Sequence, residues 1–146
     1  MSSTFTITPF KLGDLKAVLG LEQEIFPEDT YGMVEFLSLY VRSKDSFFVA
    51  RQGKTIVGYA VGYLDEGEGY VVSIGVDPEL RGQGLGRALM QTLMDWLSTH
   101  GAKVIGLHVR ADNQPAIHLY ESLGFVIQGT VQNYYEDGSP ALVMER

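Results

Sequence analysis

The run DPELRGQGLGRALMQTLMDWL occupies residues 77–97 and sets Gly82, Gly84 and Gly86 at alternate positions between Arg81 and Arg87. Ahead of it stands the β-rich segment YVVSIGV, residues 70–76, and behind the glycines Leu89, Met90, Leu93 and Leu97 recur at helical spacing. The glycines therefore join a strand to the first turn of a helix. Such a turn leaves about four backbone N–H groups without internal partners and carries roughly half a positive charge. Alternate glycines let the backbone approach an anion closely and adopt positive φ, while two arginines add charge and forked donors. Phosphate, and specifically a pyrophosphate, is the anion that suits this arrangement. Two better-known phosphate loops do not fit. The run lacks a Gly-Lys-Ser/Thr ending, and Asp77-Pro78-Glu79-Leu80 lengthens the turn beyond the dinucleotide fingerprint, which also needs an acidic residue about 20 positions on.

On the N-terminal side, Phe5 and Ile7 alternate with threonines as a short strand. Asp14 is positioned to cap a helix carrying Leu15, Val18, Leu19, Ile25 and Phe26, and Pro27 stops it. A second helix after Thr30 has a stripe of Met33, Phe36, Leu37, Tyr40 and Val41. FFVARQGKTIVGYAVGYL gives two strands turning at Gln52-Gly53-Lys54, with Gly58 and Gly62 as bulge candidates. A turn over residues 65–69 leads into the fourth strand. On the C-terminal side AKVIGLHV is a fifth strand, Asn113 caps a helix that Pro115 opens and Gly124 ends, and FVIQGTVQNYY, a turn at Asp137-Gly138 and PALVME form an antiparallel pair. The order is β-α-α-β-β-β-α-β-α-β-β, an α/β chain with no linker, repeat or low-complexity segment, read as a single domain over 1–146.

Bulk properties narrow the partners. At 146 residues with 45% apolar and 20% charged residues, the chain has the composition of a folded globular protein. A net charge of -7 is opposite to the basic footprint of a nucleic-acid binder and favours a cationic or amine-bearing partner. The absence of cysteine excludes disulfides, thiolate metal sites and a cysteine nucleophile. The start MSSTFTITPF has no leader pattern, and no apolar run approaches the ~20 residues of a membrane span. A cytoplasmic protein without membrane or nucleic-acid partners is expected, as a monomer or homodimer.

Arg81-Gly82-Gln83-Gly84-Leu85-Gly86 matches the acetyl-coenzyme A motif [RQ]-x-x-G-x-[GA], and NQPAIHLYESLGF, residues 113–125, matches N-x-x-A-x-x-L-Y-x-x-x-G-F. On these two motifs and the element order, the chain resembles the GCN5-related N-acetyltransferases, the GNAT superfamily. Phe26-Pro27, LHVRADNQPAIHLYESLGF and NYYEDGSPALVM are similar to the branch that includes the RimI and Ard1 enzymes, which acetylate protein N-termini. The resemblance implies a mixed, mostly antiparallel sheet of about seven strands with four helices, acetyl-CoA as cofactor, and a primary amine as acceptor. It implies a cofactor site of Ile74, Gly75 and Val76 backbone, residues 81–87 (Arg81, Gly82, Gln83, Gly84, Leu85, Gly86, Arg87), Asn113 and Tyr120. It also implies a peptide site lined by Phe26, Pro27, Tyr31, Tyr134 and Tyr135.

Acetyl transfer from a thioester to an amine needs a neutral amine, stabilised oxyanion character and a proton for the departing thiolate. Ile105, Leu107 and Val109 share one face of the fifth strand, so His108 points to the other, near the strand's carboxyl end, with an intrinsic pKa of about 6.5 suited to a general base. Many RimI relatives carry glutamate there. Some N-terminal acetyltransferases instead resemble this chain in pairing a histidine with a strand-four tyrosine, here Tyr70, through an ordered water. No carboxylate lies between Tyr70 and Val76. By spacing alone Tyr120 is a core aromatic on the stripe Ala116, Leu119, Tyr120, Leu123, and the resemblance makes it the general acid. Likewise His108 reads as a locally bonded strand residue and Tyr70 as a packed aromatic when the resemblance is set aside. An α-amine of pKa about 8 suits a histidine relay better than a lysine amine of about 10.4. A protein N-terminus is therefore the expected acceptor, with a small-molecule amine or a non-catalytic acyl-CoA-binding module as the alternatives. His100 and His118 read as surface residues, and no metal site is expected.

Overall fold

The computed structural model describes residues 4–27, 33–43 and 45–146, so Thr30 and Tyr31 lie outside the described residues. Seven strands form one sheet: β1 (Thr6–Pro9), β2 (Phe47–Gln52), β3 (Thr55–Asp65), β4 (Glu68–Val76), β5 (Val104–Arg110), β6 (Val126–Val131) and β7 (Ala141–Glu145). Their spatial order is β1-β2-β3-β4-β5-β7-β6. Every neighbouring pair is antiparallel except β4 and β5, which run parallel. The four α-helices are α1 (Leu15–Ile25), α2 (Met33–Arg42), α3 (Leu85–Thr99) and α4 (Gln114–Ser122).

Alternation along β2 shows how the layers divide. Phe47 and Val49 join a buried cluster with Val18 and Leu21 of α1 and Phe36 of α2, whereas Phe48 and Ala50 face Leu89, Met90, Leu93 and Leu97 of α3. Helices α1 and α2 thus cover one face of the sheet, and α3 and α4 cover the other. The α3 stripe is buried as its spacing dictates.

Helix α2 is rotated from the expected stripe. Phe36 is buried and Leu39 and Tyr40 pack beside it, but Leu37 is 37% and Val41 79% exposed. Phe36 and Tyr40 belong to two overlapping stripes, and aromatic partners select between them: Phe36 meets Phe47 and Tyr59, and Tyr40 meets Phe10 at 5.3 Å. A second correction concerns Asp14, whose side chain does not cap α1. It closes the preceding 3-10 turn, Leu12–Asp14, by accepting from the Lys11 N–H at 3.0 Å, and it pairs with Arg51 of β2 at 2.8 Å. A carboxylate with a cation across the sheet is drawn away from its own helix.

The β3–β4 turn is tighter than the sequence suggests. β3 and β4 are joined by Glu66 and Gly67, both at positive φ (50° and 84°), so β4 begins at Glu68. Bulges occur beside both glycines of β3: the register slips between Ala50 and Arg51 opposite Gly58, and between Val61 and Gly62 opposite β4. Gly62 is needed for another reason. A β-carbon there would lie 2.5 Å from the Tyr70 carbonyl oxygen. The last pair is not a tight hairpin, because β6 stops at Val131 and residues 132–140 form a loop that carries Tyr134 and Tyr135.

Candidate active site

The parallel pair generates the site. β4 and β5 pair only from Glu68 with Val104 to Val71 with Leu107. Beyond that register β5 stays paired only with β7 on its other edge, His108 opposite Val143, and β4 only with β3, Ile74 opposite Ala60 and Gly75 opposite Tyr59. The sheet therefore opens into a wedge at the carboxyl ends of β4 and β5, a cleft of about 840 Å³. Its walls include the β4 segment 72–76, the glycine turn and α4.

At one end sits the glycine turn. Asp77 Oδ1 accepts from the Glu79 N–H at 3.0 Å and fixes a 3-10 turn, Pro78–Leu80, that aims the chain toward α3. Gly82 and Gly84 have φ of 83° and 81°, the left-handed region, with open space where side chains would be. Gly86 is different, since a β-carbon there would make only ordinary contacts with Leu119 at 3.5 Å and Val76 at 3.7 Å. The Ala88 N–H bonds the Gly84 carbonyl at 3.0 Å, which leaves the N–H groups of Leu85, Gly86 and Arg87 unspent by the helix. Arg81 and Arg87 line this end, whereas Gln83 is exposed and outside the lining. Arg87 Nη2 also donates to Ser122 Oγ, tying the start of α3 to the end of α4.

In the middle stand Asn113 and Tyr120. Asn113 caps α4, its Oδ1 accepting from the Ala116 N–H at 3.3 Å. Tyr120 is 7% exposed, packs edge-on to Phe125, and still lines the cleft. Burial first, and then the nearby charge of Tyr135, push its phenol far above the usual tyrosine range. The proton therefore stays on Tyr120 at all ordinary pH values.

At the other end is an aromatic array. Tyr70 Oη lies 2.6 Å from His108 Nδ1. Tyr134 stacks on the His108 ring at 4.5 Å and 10°. Burial lowers the His108 pKa below its ordinary 6.5. Phe26 and Pro27 line the α1 side of the opening, and Tyr134 and Tyr135 the β5 side. Of the site residues read from the sequence, only Tyr31 lies outside the described residues.

Residues 15–125 match the Acetyltransferase (GNAT) family. The chain belongs to the GNAT acetyltransferase family. This acetyltransferase is similar in structure to Ard1 from Thermoplasma volcanium, with a TM-score of 0.92 and 31% identity over 97% of this chain and 96% of the other. It is similar to the ribosomal-protein-S18-alanine N-acetyltransferase from Escherichia coli, with a TM-score of 0.86 and 33% identity over 97% and 92% of the two chains. It is also similar to Naa20 from Chaetomium thermophilum, solved with a bisubstrate analogue, with a TM-score of 0.88 and 26% identity over 97% and 85%.

Some residues of the acetyltransferase's cleft escape a reading by sequence. Glu22, fully buried on α1, lines it together with Ile25 and Phe26, one helical turn on. Its signal was a carboxylate inside an apolar stripe, which spacing alone assigns to the core. Ser73 also lines the cleft and bonds the buried Tyr59 hydroxyl at 3.1 Å. Gly75 is sterically required, because a β-carbon would lie 2.7 Å from Tyr59 Cε1 and 2.9 Å from Ile25 Cδ1. Among the described residues no cluster of His, Asp or Glu could hold a metal ion, and no helix is long and apolar enough to cross a membrane.

Proposed function

We propose that this chain transfers the acetyl group of acetyl-CoA to the N-terminal α-amine of a protein or peptide, by direct attack of the amine. The observation that carries this reading is the Tyr70–His108–Tyr134 array at one end of a cleft whose other end is a cationic glycine turn. Similarity to an S18-alanine N-acetyltransferase and to Naa20 held with a bisubstrate analogue supports the same acceptor.

The cleft fits the cofactor. Unspent N–H groups of Leu85, Gly86 and Arg87, with the Arg81 and Arg87 side chains, would hold the pyrophosphate. The backbone of Ile74, Gly75 and Val76, which has no ladder partner on its β5 side, would pair with the pantetheine amides, and Asn113 and Tyr120 would border the arm. When bound, acetyl-CoA supplies an acyl group activated as a thioester.

His108, kept neutral by burial, takes the proton of the incoming ammonium, directly or through water held with the Tyr70 hydroxyl. A backbone N–H of the open β4 edge would polarise the acyl carbonyl of a bound cofactor. Tyr120 Oη would hold a proton for the departing sulfur and regain one from the attacking nitrogen, which sheds its second proton as the amide forms. Phe26, Pro27, Tyr134 and Tyr135 orient the peptide, and Tyr31 belongs with them by its place in the sequence. No cysteine is available for a covalent route.

The test is coenzyme A release with peptides bearing free or blocked N-termini, peptides with internal lysines, and small amines. Turnover confined to free N-termini is expected. Turnover only with small amines would convert the aromatic walls into a closed pocket, and cofactor binding without turnover would leave a non-catalytic module.

A further inference from the structure

Arg110 ends β5 two residues beyond His108, so both side chains leave the strand on the same face. Its guanidinium carbon sits 4.4 Å from the centre of the Tyr135 ring, and its Nη1 donates to Asp137 Oδ2 at 3.1 Å. Asp137 is itself fixed, accepting from the Ser139 N–H at 3.0 Å, while the Tyr135 carbonyl accepts from the Gly138 N–H at 2.9 Å. Tyr135 meets Tyr134 edge-on at 4.9 Å, and Tyr134 lies flat on His108. One cation thereby organises a loop whose far side covers the imidazole.

We propose that, in the acetyl transfer assigned to this cleft, Arg110 is a positioning residue that clamps the 132–140 loop so that Tyr134 stays on His108 and keeps water from one face of the ring. Arginine suits the task because its planar fork stacks on tyrosine while bonding a carboxylate; a lysine retains the charge without the fork. An exposed ion pair alone is worth little, so the stack on Tyr135 is the larger part of the clamp.

Among the described residues, the groups around His108 come from several elements. Tyr70 faces it from β4, with Tyr63 of β3 behind at 5.5 Å. Val143 of β7 beside it is uncharged. Tyr134, Tyr135 and Asp137 come from the loop, and Tyr120 of α4, Glu22 of α1 and Asp112 after β5 line the same cleft. Burial is what lowers the His108 pKa, so an opened loop moves it upward.

The experiment is an NMR titration of the His108 imidazole in the full-length protein, assigned by the resonance missing from His108→Gln, in Arg110→Lys and Asp137→Asn. Both variants are expected to titrate higher than the parent. Peptide KM is expected to rise about three- to tenfold while plateau kcat stays within about twofold. The signs discriminate: Arg110→Lys keeps the charge, and Asp137→Asn removes a carboxylate, which by charge alone moves the titration downward. An unshifted lysine variant, or a downward shift in Asp137→Asn, overturns the clamp; if the lysine variant does not fold, Asp137→Asn decides. The titration needs no turnover, so failure of the clamp is distinguishable from failure of acetyl transfer.

Discussion

Burial acts on His108 and Tyr120 in opposite senses, because one is charged when protonated and the other when deprotonated. For the imidazole the folded pKa lies below the unfolded value of 6.5, so the base form persists to lower pH than in a free histidine. The acid limb of kcat/KM should therefore inflect below about 6.5. His108→Gln should remove that limb and about 10²-fold of the rate; a pH–rate profile unchanged by this variant would take the base role away from His108. The same shift bears on stability. As pH falls through about 6.5 the unfolded chain takes up this proton first, so the folded state loses part of its margin there. For Tyr120 the raised pKa means no alkaline limb from this group up to about 10. Tyr120→Phe should lower kcat about 10²-fold with coenzyme A affinity nearly intact, as calorimetry and steady-state rates would show. Undiminished kcat would return the residue to a packing role against Phe125.

Elements show where the sequence was legible. The glycine turn and α3 could be read because every part of their signal is local: left-handed glycines, a first turn, and a stripe on one side. The three glycines nonetheless do different things. Gly84→Ala should cost about 1 kcal/mol from its positive φ and weaken coenzyme A binding, whereas Gly86→Ala should be tolerated, both read by thermal melts with and without ligand. Equal effects at the two positions would contradict this division. Helix α2 was legible as a helix but not in its rotation, since Phe36 and Tyr40 serve two stripes and contacts with Phe10, Phe47 and Tyr59 choose between them. The Arg110–Asp137–Tyr135 contacts were illegible because they join β5 to residues far along the chain, Asp137 being 27 positions on, through a turn whose conformation only the fold defines. Glu22 was hidden by sitting where a leucine would be unremarkable.

For the whole molecule, a net charge of -7 creates a field that attracts cations at long range. Peptides with lysine downstream of a free N-terminus should show a KM that rises with salt, while uncharged counterparts should show little change. A salt-independent KM for both would mean that local contacts alone guide the acceptor.

The wedge between β4 and β5 makes the folded protein an incomplete sheet, closed at Val71 and Leu107 and open beyond. Whatever pairs with residues 74–76 finishes that sheet, so a cofactor bound as proposed would act as the missing seam of the fold as well as a reactant. Amide protons along this edge should exchange with solvent much faster without coenzyme A than with it. At about 100 times its Kd the cofactor would add about 2.7 kcal/mol, a melting shift on the order of 5–10 °C. Cofactor supply would thereby tune part of the stability margin of the fold as well as the rate of its reaction.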